Sequence, residues 1–305
     1  KHREYRDPDG TLQQREPVIL TNFPATGKCS APMCAACQLS KAKRRGTNSS
    51  VSHKINKNKL KLGNLFPGQM VSMDQYESSV RGRLPHTRGR EKKEDKFCGG
   101  TLFCDHATGY TYVSNQVSLR AGETLQLKQK FEHITNTYGV KVLNYIGDNG
   151  TFKSEEFKQH IRLKDQNIDF SGVGSHHQNG VAERAIQTIM YWARTMIIHA
   201  SLHWPEQADP DLCPFAVNYA TWLWNKIPSH TMGYSPMELL TRQNSDHKDI
   251  RRTHVWGCPV YLLEPSLQDG KKIPKWQPRA RRGQFVGYEP QHAYLIVLIR
   301  KLQNG

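Results

Sequence analysis

Three carboxylic acids of this sequence lie in segments whose patterns would bring them to one folded core. Asp74 lies in the alternating segment QMVSMDQYES, Asp148 follows the apolar run VKVLNYI in a Gly-Asp-Asn-Gly turn, and Glu183 lies near the start of a helical pattern. Three converging carboxylates can hold two Mg²⁺ ions and leave coordination positions for phosphate and water. Two such ions, roughly 3.5–4 Å apart, stabilise the attacking and leaving oxygens of an in-line phosphoryl displacement.

Each acid alone also has a structural explanation. Asp-Asn-Gly is good turn chemistry, an acid near a helix N-terminus is favoured by the helix dipole, and Asp74 fits a solvated strand position. Asp105, in LFCDHATGY, competes with Asp74 for the role of first ligand. Spacing alone therefore suggests the metal site without separating it from these alternatives.

The elements around these acids follow the order of three strands, helix, strand, helix, strand, helix. The strands are expected in QMVSMDQYES, on both sides of the turn Ala107–Gly109, in VKVLNYI and in NIDFS; Ser154 is expected to cap the short helix. A three-stranded meander extended by parallel strands through helical crossovers is an α/β fold of the ribonuclease-H type. The sequence thus predicts a five-stranded mixed sheet flanked by helices.

Four regions are expected along the chain. They are a basic N-terminal segment (1–68), the catalytic core (69–200), a helical extension (201–250) and a small basic β module (251–305). The chain has no initial Met and is expected to be a piece of a longer polypeptide, cut inside the β module so that the last strand lacks a partner.

Positive charge dominates the composition, with 43 Lys and Arg against 27 Asp and Glu and a formal net charge of +16. Such a surface attracts polyanions, most often nucleic acid, although a solvated basic surface explains each charged run equally well. Candidate phosphate-binding surfaces are 41–45, 81–96 and 271–282. Trp192, Trp222, Trp224 and Trp256 are expected to be core anchors. Neither a secretory signal peptide nor a membrane-spanning apolar run is evident.

Seven cysteines, three of them at Cys29, Cys34 and Cys37, indicate reduced thiols and one possible metal half-site. Cys34 and Cys37 form a C-x-x-C turn that supplies two of the four ligands of a tetrahedral zinc site. A lone C-x-x-C is a weak signal, because the site needs two further ligands. Within the chain only His2 precedes the pair among the histidines, and Cys29 is either an accidental neighbour or a substitute ligand.

Several motifs together resemble the integrase core of copia-type long-terminal-repeat retrotransposons. They are SMDQY, IGDNGTFKSEEF and QNGVAER, followed by NYATWLWNKIPSHTMGYSPMELL and VWGCPVY…RRGQFVGYEP, and preceded by CAACQLSKAKRR. The resemblance covers nearly the whole chain. Two departures lie near one Gly-bearing loop: thirty-four rather than thirty-five residues separate Asp148 from Glu183, and HHQNG replaces PQQNG. We expect the site to survive both, because loops absorb such changes.

The resemblance implies that Asp74, Asp148 and Glu183 are the catalytic and metal-binding acids, with Mg²⁺ (or Mn²⁺) as cofactor and Zn²⁺ at the N-terminal module. It also favours Asp74 over Asp105 as the ligand. For the zinc module, the resemblance implies two histidines upstream of the C-x-x-C pair, which are expected to lie before residue 1. The residues expected to bind nucleic acid are Lys41, Lys43, Arg44, Arg45, Asn149, Gln178, Asn179, Arg184, Gln187, Arg194, Lys271, Lys272, Arg279, Arg281 and Arg282.

The implied function is strand transfer, in which the 3′ ends of element DNA are joined to target DNA. Its partners would be both DNAs and further copies of the chain, and its location the nucleus, reached through a cytoplasmic virus-like particle. Protease and reverse transcriptase would lie on neighbouring polyprotein segments. Two alternatives remain: an inactive, domesticated DNA-binding descendant, and a ribonuclease-H-fold nuclease that only hydrolyses.

Overall fold

A five-stranded mixed sheet forms the centre of the protein. The computed structural model describes residues 34–41, 65–85, 92–171, 179–207, 209–230, 232–288 and 295–298. The large sheet contains β1 (Val71–Gly82), β2 (Phe97–Asp105), β3 (Thr111–Gln116), β4 (Asn144–Gly147) and β5 (Asn167–Phe170). A second, three-stranded sheet contains β6 (Pro259–Leu263), β7 (Ala280–Tyr288) and β8 (Leu295–Leu298).

The helices follow the predicted order. They are α1 (Ala35–Lys41), α2 (Ala121–Thr137), α3 (Glu155–Leu163), α4 (Gly180–His203), α5 (Cys213–Lys226), α6 (Pro236–Thr241), α7 (Lys248–Arg251) and α8 (Pro265–Gln268). As predicted, Ser154 caps α3, its side chain accepting a hydrogen bond from the backbone N–H of Phe157. Within the described residues, no helix is long and apolar enough to cross a membrane.

The strand order β3-β2-β1-β4-β5 confirms the predicted ribonuclease-H-like fold. β1, β2 and β3 form an antiparallel meander, whereas β4 pairs in parallel with both β1 and β5. Side chains of β2 alternate between the two faces: Leu102 and Cys104 join one apolar cluster, and Phe103 joins the other. The sheet is therefore buried on both sides, with α2 and α3 over one face and α4 and α5 over the other.

Two strands differ from the sequence-based expectation. β4 begins only at Asn144, because the backbone N–H of Leu143 bonds to the carbonyl of Gly68 and that of Val140 to Thr135. Val140 and Val142 are buried without joining the ladder. The prediction that the last strand lacks a partner is wrong, since β8 pairs with β7.

The helical extension covers the outer edge of the meander. The Asn225 side chain of α5 brackets Thr111 of β3, accepting from its N–H at 2.9 Å and donating to its carbonyl at 2.7 Å. Trp224 donates to the carbonyl of Gly109 at 3.0 Å. An edge that a side chain pairs in this way is closed to another strand.

The tryptophans predicted to be core anchors have that role. Trp256 is 2% exposed and donates to the carbonyl of Val286. Trp192, Trp222 and Trp224 pack against the apolar cluster that α4, α5 and β7 share.

A buried ionic cluster joins α2, α3 and β4. The Lys128 ammonium, in a fully buried residue, donates to Glu132 at 2.6 Å and to Gln166 at 2.7 Å. Tyr145 of β4 donates to the same Glu132 oxygen at 2.8 Å. Burial raises the pKa of Glu132, but the Lys128 charge and the hydrogen bonds from Lys128, Gln166 and Tyr145 outweigh it, so the pKa lies below the ordinary value. The carboxylate is therefore ionised at neutral pH.

Removing Glu132 is predicted to destabilise the fold strongly. Glu132→Ala leaves Lys128 buried without its counter-ion, and we expect a loss of about 3–5 kcal/mol in the free energy of unfolding measured with urea at pH 7.5. The double variant Lys128→Met/Glu132→Leu removes both charges and should recover most of that loss. Glu155→Ala, which breaks the exposed pair with Arg162, is the control and should have little effect.

Glu132 also predicts an acid-dependent loss of stability. Because its pKa in the folded protein lies below the ordinary value, its stabilising contribution is complete above about pH 4.5 and is lost as the pH falls through the folded pKa. Wild type should therefore lose more stability than the double variant between pH 5 and pH 3. Equal losses would contradict this assignment, as would a Glu132→Ala effect no larger than that of Glu155→Ala.

Candidate metal and nucleic-acid site

The pairing of β1 with β4 sets Asp74 and Asp148 side by side. The two strands run parallel, with Val71 beside Tyr145 and Ser72 beside Ile146, so paired positions differ by 74 residues. Asp74 and Asp148 are also 74 residues apart. If the register is extended by two residues beyond the Ser72–Ile146 pair, these two acids lie opposite each other on the adjacent strands. Neighbouring strands lie about 4.8 Å apart, and residues at one level point to the same face. Both acids are half-buried.

Gly147, the residue before Asp148, lies against the side chain of Met73. A Cβ added to Gly147 would lie 2.9 Å from the Met73 Cε atom and 3.2 Å from the Phe152 ring. Met73 is the residue that the register places beside Gly147. The close approach explains why the residue before Asp148 has no side chain.

The turn after β4 is held by its own polar groups. The Asp148 Oδ1 atom accepts from the backbone N–H of Gly150 at 3.2 Å, and a Cβ on Gly150 would lie 3.2 Å from Asp148 Oδ2. Asn149 donates from Nδ2 to the carbonyl of Ser171 at 2.6 Å. The turn chemistry expected of Asp-Asn-Gly is therefore present, and it coexists with a carboxylate aligned to Asp74.

Asn179 anchors the helix of Glu183 to the strand of Asp74. This residue, 3% exposed, immediately precedes α4 and donates from Nδ2 to the carbonyl of Met73 at 3.0 Å. Its Oδ1 atom is buried and has no hydrogen-bond partner within the described residues. Glu183 follows about one helical turn later and is half-buried. The start of α4, which carries Glu183, is thus attached to β1, which carries Asp74.

The three acids do not form a complete metal cage in the described part of the chain. There, no group of three or more His, Cys, Asp and Glu residues is placed to hold a metal ion. Residues 172–178, which lead to Asn179 and include Gln178, are outside the described residues. The donor chemistry nevertheless suits Mg²⁺, because two carboxylates share one level and the third lies on a helix attached to the same strand. Ligation by the triad remains a prediction.

A polar network that the sequence did not reveal supports the pair of aspartates. Gln75, next to Asp74, donates to the hydroxyl of Thr124 at 2.8 Å and accepts from the hydroxyl of Thr151 at 3.0 Å. Thr151 lies just after the Asp148 turn and also bonds to the carbonyl of Leu119. Gln75 therefore connects β1, the start of α2 and the Asp148 turn. Partners so far apart in sequence leave no local pattern from which to predict them.

Asp105 has a structural role. It is 2% exposed, and its carboxylate accepts from the N–H of Gly68, the N–H of Thr108 and the Thr108 hydroxyl at 2.7–2.9 Å. Burial raises the pKa of Asp105, and these hydrogen bonds oppose the rise. It lies opposite Val71, whereas Asp74 lies opposite Leu102. Its oxygens are thus occupied in closing the β2–β3 turn.

The polar face of α4 carries three of the expected nucleic-acid contacts. Arg184, Gln187 and Arg194 are all exposed. At about 100° of rotation per residue, they lie with Glu183 within an arc of about 100°. Phosphate groups bound along this face would therefore lie on the side of the helix that carries Glu183.

The other expected nucleic-acid contacts have mixed outcomes. Lys271, Lys272 and Arg279 are exposed, and Lys271 lies 4.0 Å from Asp269. Arg281 pairs with Glu264 and Arg282 with Glu206, both on the surface. Asn149 and Asn179 bond to backbone carbonyls rather than pointing free into solvent. Lys43, Arg44, Arg45, Gln178 and the side chain of Lys41 lie outside the described residues.

The cysteine pair lies at a helix, not on the tight turn that the sequence suggested. Cys34 is half-buried just before α1, and Cys37 is buried within it. α1 packs on α4, where Thr195 donates to the Ser40 hydroxyl at 2.8 Å. No third His, Cys, Asp or Glu among the described residues completes a metal group with them. Zinc binding therefore remains a prediction.

The attachment through Asn179 generates a stability prediction. Asn179→Ala leaves the buried Met73 carbonyl without this donor, and we expect a loss of about 1–3 kcal/mol in the free energy of unfolding measured with urea. Asn149→Ala, which removes a bond at an exposed residue, is the matched control and should cost less. Equal effects of the two substitutions would show that Asn179 does not anchor α4.

No family model matches the chain. Among curated proteins, the Retrovirus-related Pol polyprotein from transposon TNT 1-94 of Nicotiana tabacum is 28% identical over 162 residues. The match covers 50% of this chain and only 11% of that polyprotein.

Solved structures similar to the chain include the following three, each with a TM-score below 0.5. The trimeric form of the HTLV-2 integrase catalytic core domain in complex with magnesium is 20% identical, with a TM-score of 0.41, and covers 57% of this chain and 97% of its own. The dimeric form of the same domain is 19% identical, with a TM-score of 0.40, and the match covers 58% of this chain and 98% of that one. A chain of the simian T-cell lymphotropic virus intasome in complex with PP2A regulatory subunit B56 gamma is 13% identical, with a TM-score of 0.43. The match covers 78% of this chain and 78% of that one.

The match to the transposon polyprotein confirms the resemblance predicted from the sequence: the chain is similar to a segment of a retrotransposon Pol polyprotein, and it has the ribonuclease-H-like sheet expected of an integrase core.

Proposed function

We propose that the chain is the integrase segment of a copia-type retrotransposon and joins 3′ ends of element DNA to target DNA. The observation that carries the proposal is the β1–β4 register, which sets Asp74 beside Asp148. The attachment of α4 at Met73, the neighbour of Asp74, adds the third acid. The similarity to a transposon polyprotein supports the same assignment.

In the proposed mechanism, Asp74, Asp148 and Glu183 hold divalent cations, Mg²⁺ or Mn²⁺. When bound, these cations supply Lewis acidity that lowers the pKa of a DNA 3′-hydroxyl and stabilises negative charge on the reacting phosphate. The Gln75–Thr151 hydrogen bond keeps the Asp148 turn at the level of Asp74. Arg184 and Arg194 supply positive charge for the DNA backbone on the face of α4 that carries Glu183.

Strand transfer exchanges one phosphodiester for another. The 3′-hydroxyl of the element end forms a new P–O bond, the P–O bond to the target strand's 3′-oxygen breaks, and that oxygen ends as a hydroxyl with the proton released by the nucleophile. The number of phosphodiesters is unchanged, so no ATP is needed. Joining two element ends in one event would need at least a dimer of the chain. Zn²⁺ at Cys34 and Cys37, and a nuclear location reached through a cytoplasmic virus-like particle, belong to the same proposal.

The proposal predicts that single-atom changes at the triad abolish strand transfer. Asp148→Asn and Glu183→Gln keep the side-chain shape but remove the anionic oxygen ligands, and we expect at least a hundredfold loss of joined product on short duplexes that carry element ends, with Mg²⁺ or Mn²⁺. Asp169→Asn is the matched control, because Asp169 is an exposed acid on the adjacent strand β5, level with Ile146. Its product yield should equal that of wild type.

Each alternative function gives a different result in this assay. Cut but never joined strands would identify a nuclease that only hydrolyses. Equal DNA binding by wild type and both variants, with no reaction by any of them, would identify an inactive DNA-binding descendant. Product from Asp148→Asn at the wild-type rate would remove the triad from the mechanism.

Metal binding itself predicts a shift in thermal stability. A ligand that binds only the folded state at tenfold its Kd adds about 1.4 kcal/mol, so Mn²⁺ or Mg²⁺ in the millimolar range should raise the Tm of wild type by about 2 °C. Asp74→Asn should show little of this rise, whereas Asp169→Asn should show all of it. The same rise in Asp74→Asn would place the cation elsewhere.

A further inference from the structure

Trp276 is the most exposed large apolar side chain in the described part of the protein, with 91% of its surface accessible. It lies in the connection between β6 and β7, in a turn where the N–H of Gln277 bonds to the carbonyl of Pro274 at 3.1 Å. The chain therefore displays the indole on a tight turn and packs it against no apolar cluster of the described residues. Tryptophan usually buries 150–250 Å², so an indole with 91% of its surface accessible leaves most of that area open to contact by a partner.

The charge around Trp276 restricts what that partner can be. Residues 271–282 contain six cations and no acid: Lys271, Lys272, Lys275, Arg279, Arg281 and Arg282. The Lys275 ammonium lies 5.9 Å from the centre of the Trp276 ring. Lysine is depleted at protein–protein interfaces, whereas an aromatic ring among cations is the usual composition of a surface that binds nucleic-acid strands. A polyanion with flat rings fits better than a protein.

A second exposed aromatic lies on the adjoining sheet. Tyr261 of β6 is 70% exposed and pairs across the ladder with Arg282 of β7. Arg281 and Arg282 form surface ion pairs with Glu264 and Glu206. Arg281 holds Glu264 through two hydrogen bonds, whereas Arg282 makes a single surface contact with Glu206, a kind of pair that is weak in water and can exchange for a phosphate contact. The module thus presents ring and cation side by side at two places.

We infer that Trp276 is a stacking residue for an unpaired DNA base, with the flanking Lys and Arg side chains on the phosphates of the same strand. The choice of DNA as the polyanion rests on the proposed function. Stacking requires a base outside the duplex, because only then is its flat face accessible. The segment would therefore prefer single-stranded or locally opened DNA over a fully paired duplex.

The test measures binding of the full chain to a fluorescently labelled single-stranded 20-mer and to the matching duplex, by anisotropy across a series of salt concentrations. Trp276→Ala should weaken binding to the single strand about tenfold and binding to the duplex much less. It removes no charge, so the dependence of affinity on salt should stay the same. Trp276→Phe keeps a ring and should restore most of the affinity.

Two further variants make the result specific. Val255→Ala, at an apolar residue with 55% exposure, should bind like wild type. Lys272→Gln/Lys275→Gln should reduce the slope of log affinity against log salt by about 1.4, at about 0.7 per phosphate contact on a single strand. The two kinds of change would then separate stacking from charge.

Several outcomes would overturn the inference. They are no binding of the single strand by wild type at low salt, unchanged single-strand affinity in Trp276→Ala, or equal losses on single strand and duplex. A change of oligomeric state in Trp276→Ala, measured by sedimentation with DNA affinity unchanged, would assign the ring to a contact between copies of the chain.

Failure here is distinguishable from failure of the proposed function. Asp148→Asn should keep the full preference for single strands even though it joins none. A Trp276 effect in a protein without strand transfer would leave the stacking residue standing and remove the integrase mechanism. Normal strand transfer with no effect of Trp276→Ala on binding would leave the integrase mechanism standing and remove the stacking role of Trp276.

Discussion

The parallel register of β1 and β4 is the constraint on which the candidate site depends. Asp74 and Asp148 share a level only because paired positions differ by 74 residues. A slip of one residue would turn Asp148 to the opposite side of the sheet from Asp74, since successive side chains alternate. Gly147 fits this register, because a Cβ there would lie 2.9 Å from Met73 Cε and 3.2 Å from the Phe152 ring. The alignment of the two acids therefore depends on the β1–β4 ladder and is compatible with glycine at position 147.

Polar groups support the β1–β4 register on one face of the sheet and attach α4 to β1 on the other. On one side, Gln75 and Thr151 tie the Asp148 turn to β1, and Tyr145 ties β4 to the Lys128–Glu132 pair. On the other side, Asn179 ties α4 to Met73. Apolar burial stabilises the sheet without specifying its alignment to one residue, whereas a buried donor accepts few alternative partners. The acids are therefore positioned by interactions that a slipped strand would lose.

Much of this arrangement follows from the sequence, and the remainder depends on distant partners. The period of two in β1 and β2, the helical stripe of α4 and the capping serine of α3 are local patterns, so the strand order and the polar face of α4 that carries Glu183 could be predicted. The late start of β4 could not, because it depends on Gly68 bonding to Leu143. Asn149 and Asn179 were expected to contact DNA, but their amide groups bond to Ser171 and Met73. No spacing rule distinguishes an amide that binds DNA from one that binds a carbonyl across the fold.

The distribution of charge determines how the candidate site would engage DNA. A chain with a net charge of +16 attracts DNA at long range, but long-range attraction does not choose a phosphodiester. The choice requires that backbone contacts and carboxylates be fixed relative to each other, which α4 achieves by carrying Arg184, Arg194 and Glu183 within one arc of its surface. Asn179 bonds the start of this helix to the strand of Asp74, so the cations that would position DNA and the acids that would hold metal lie on elements that are attached to each other.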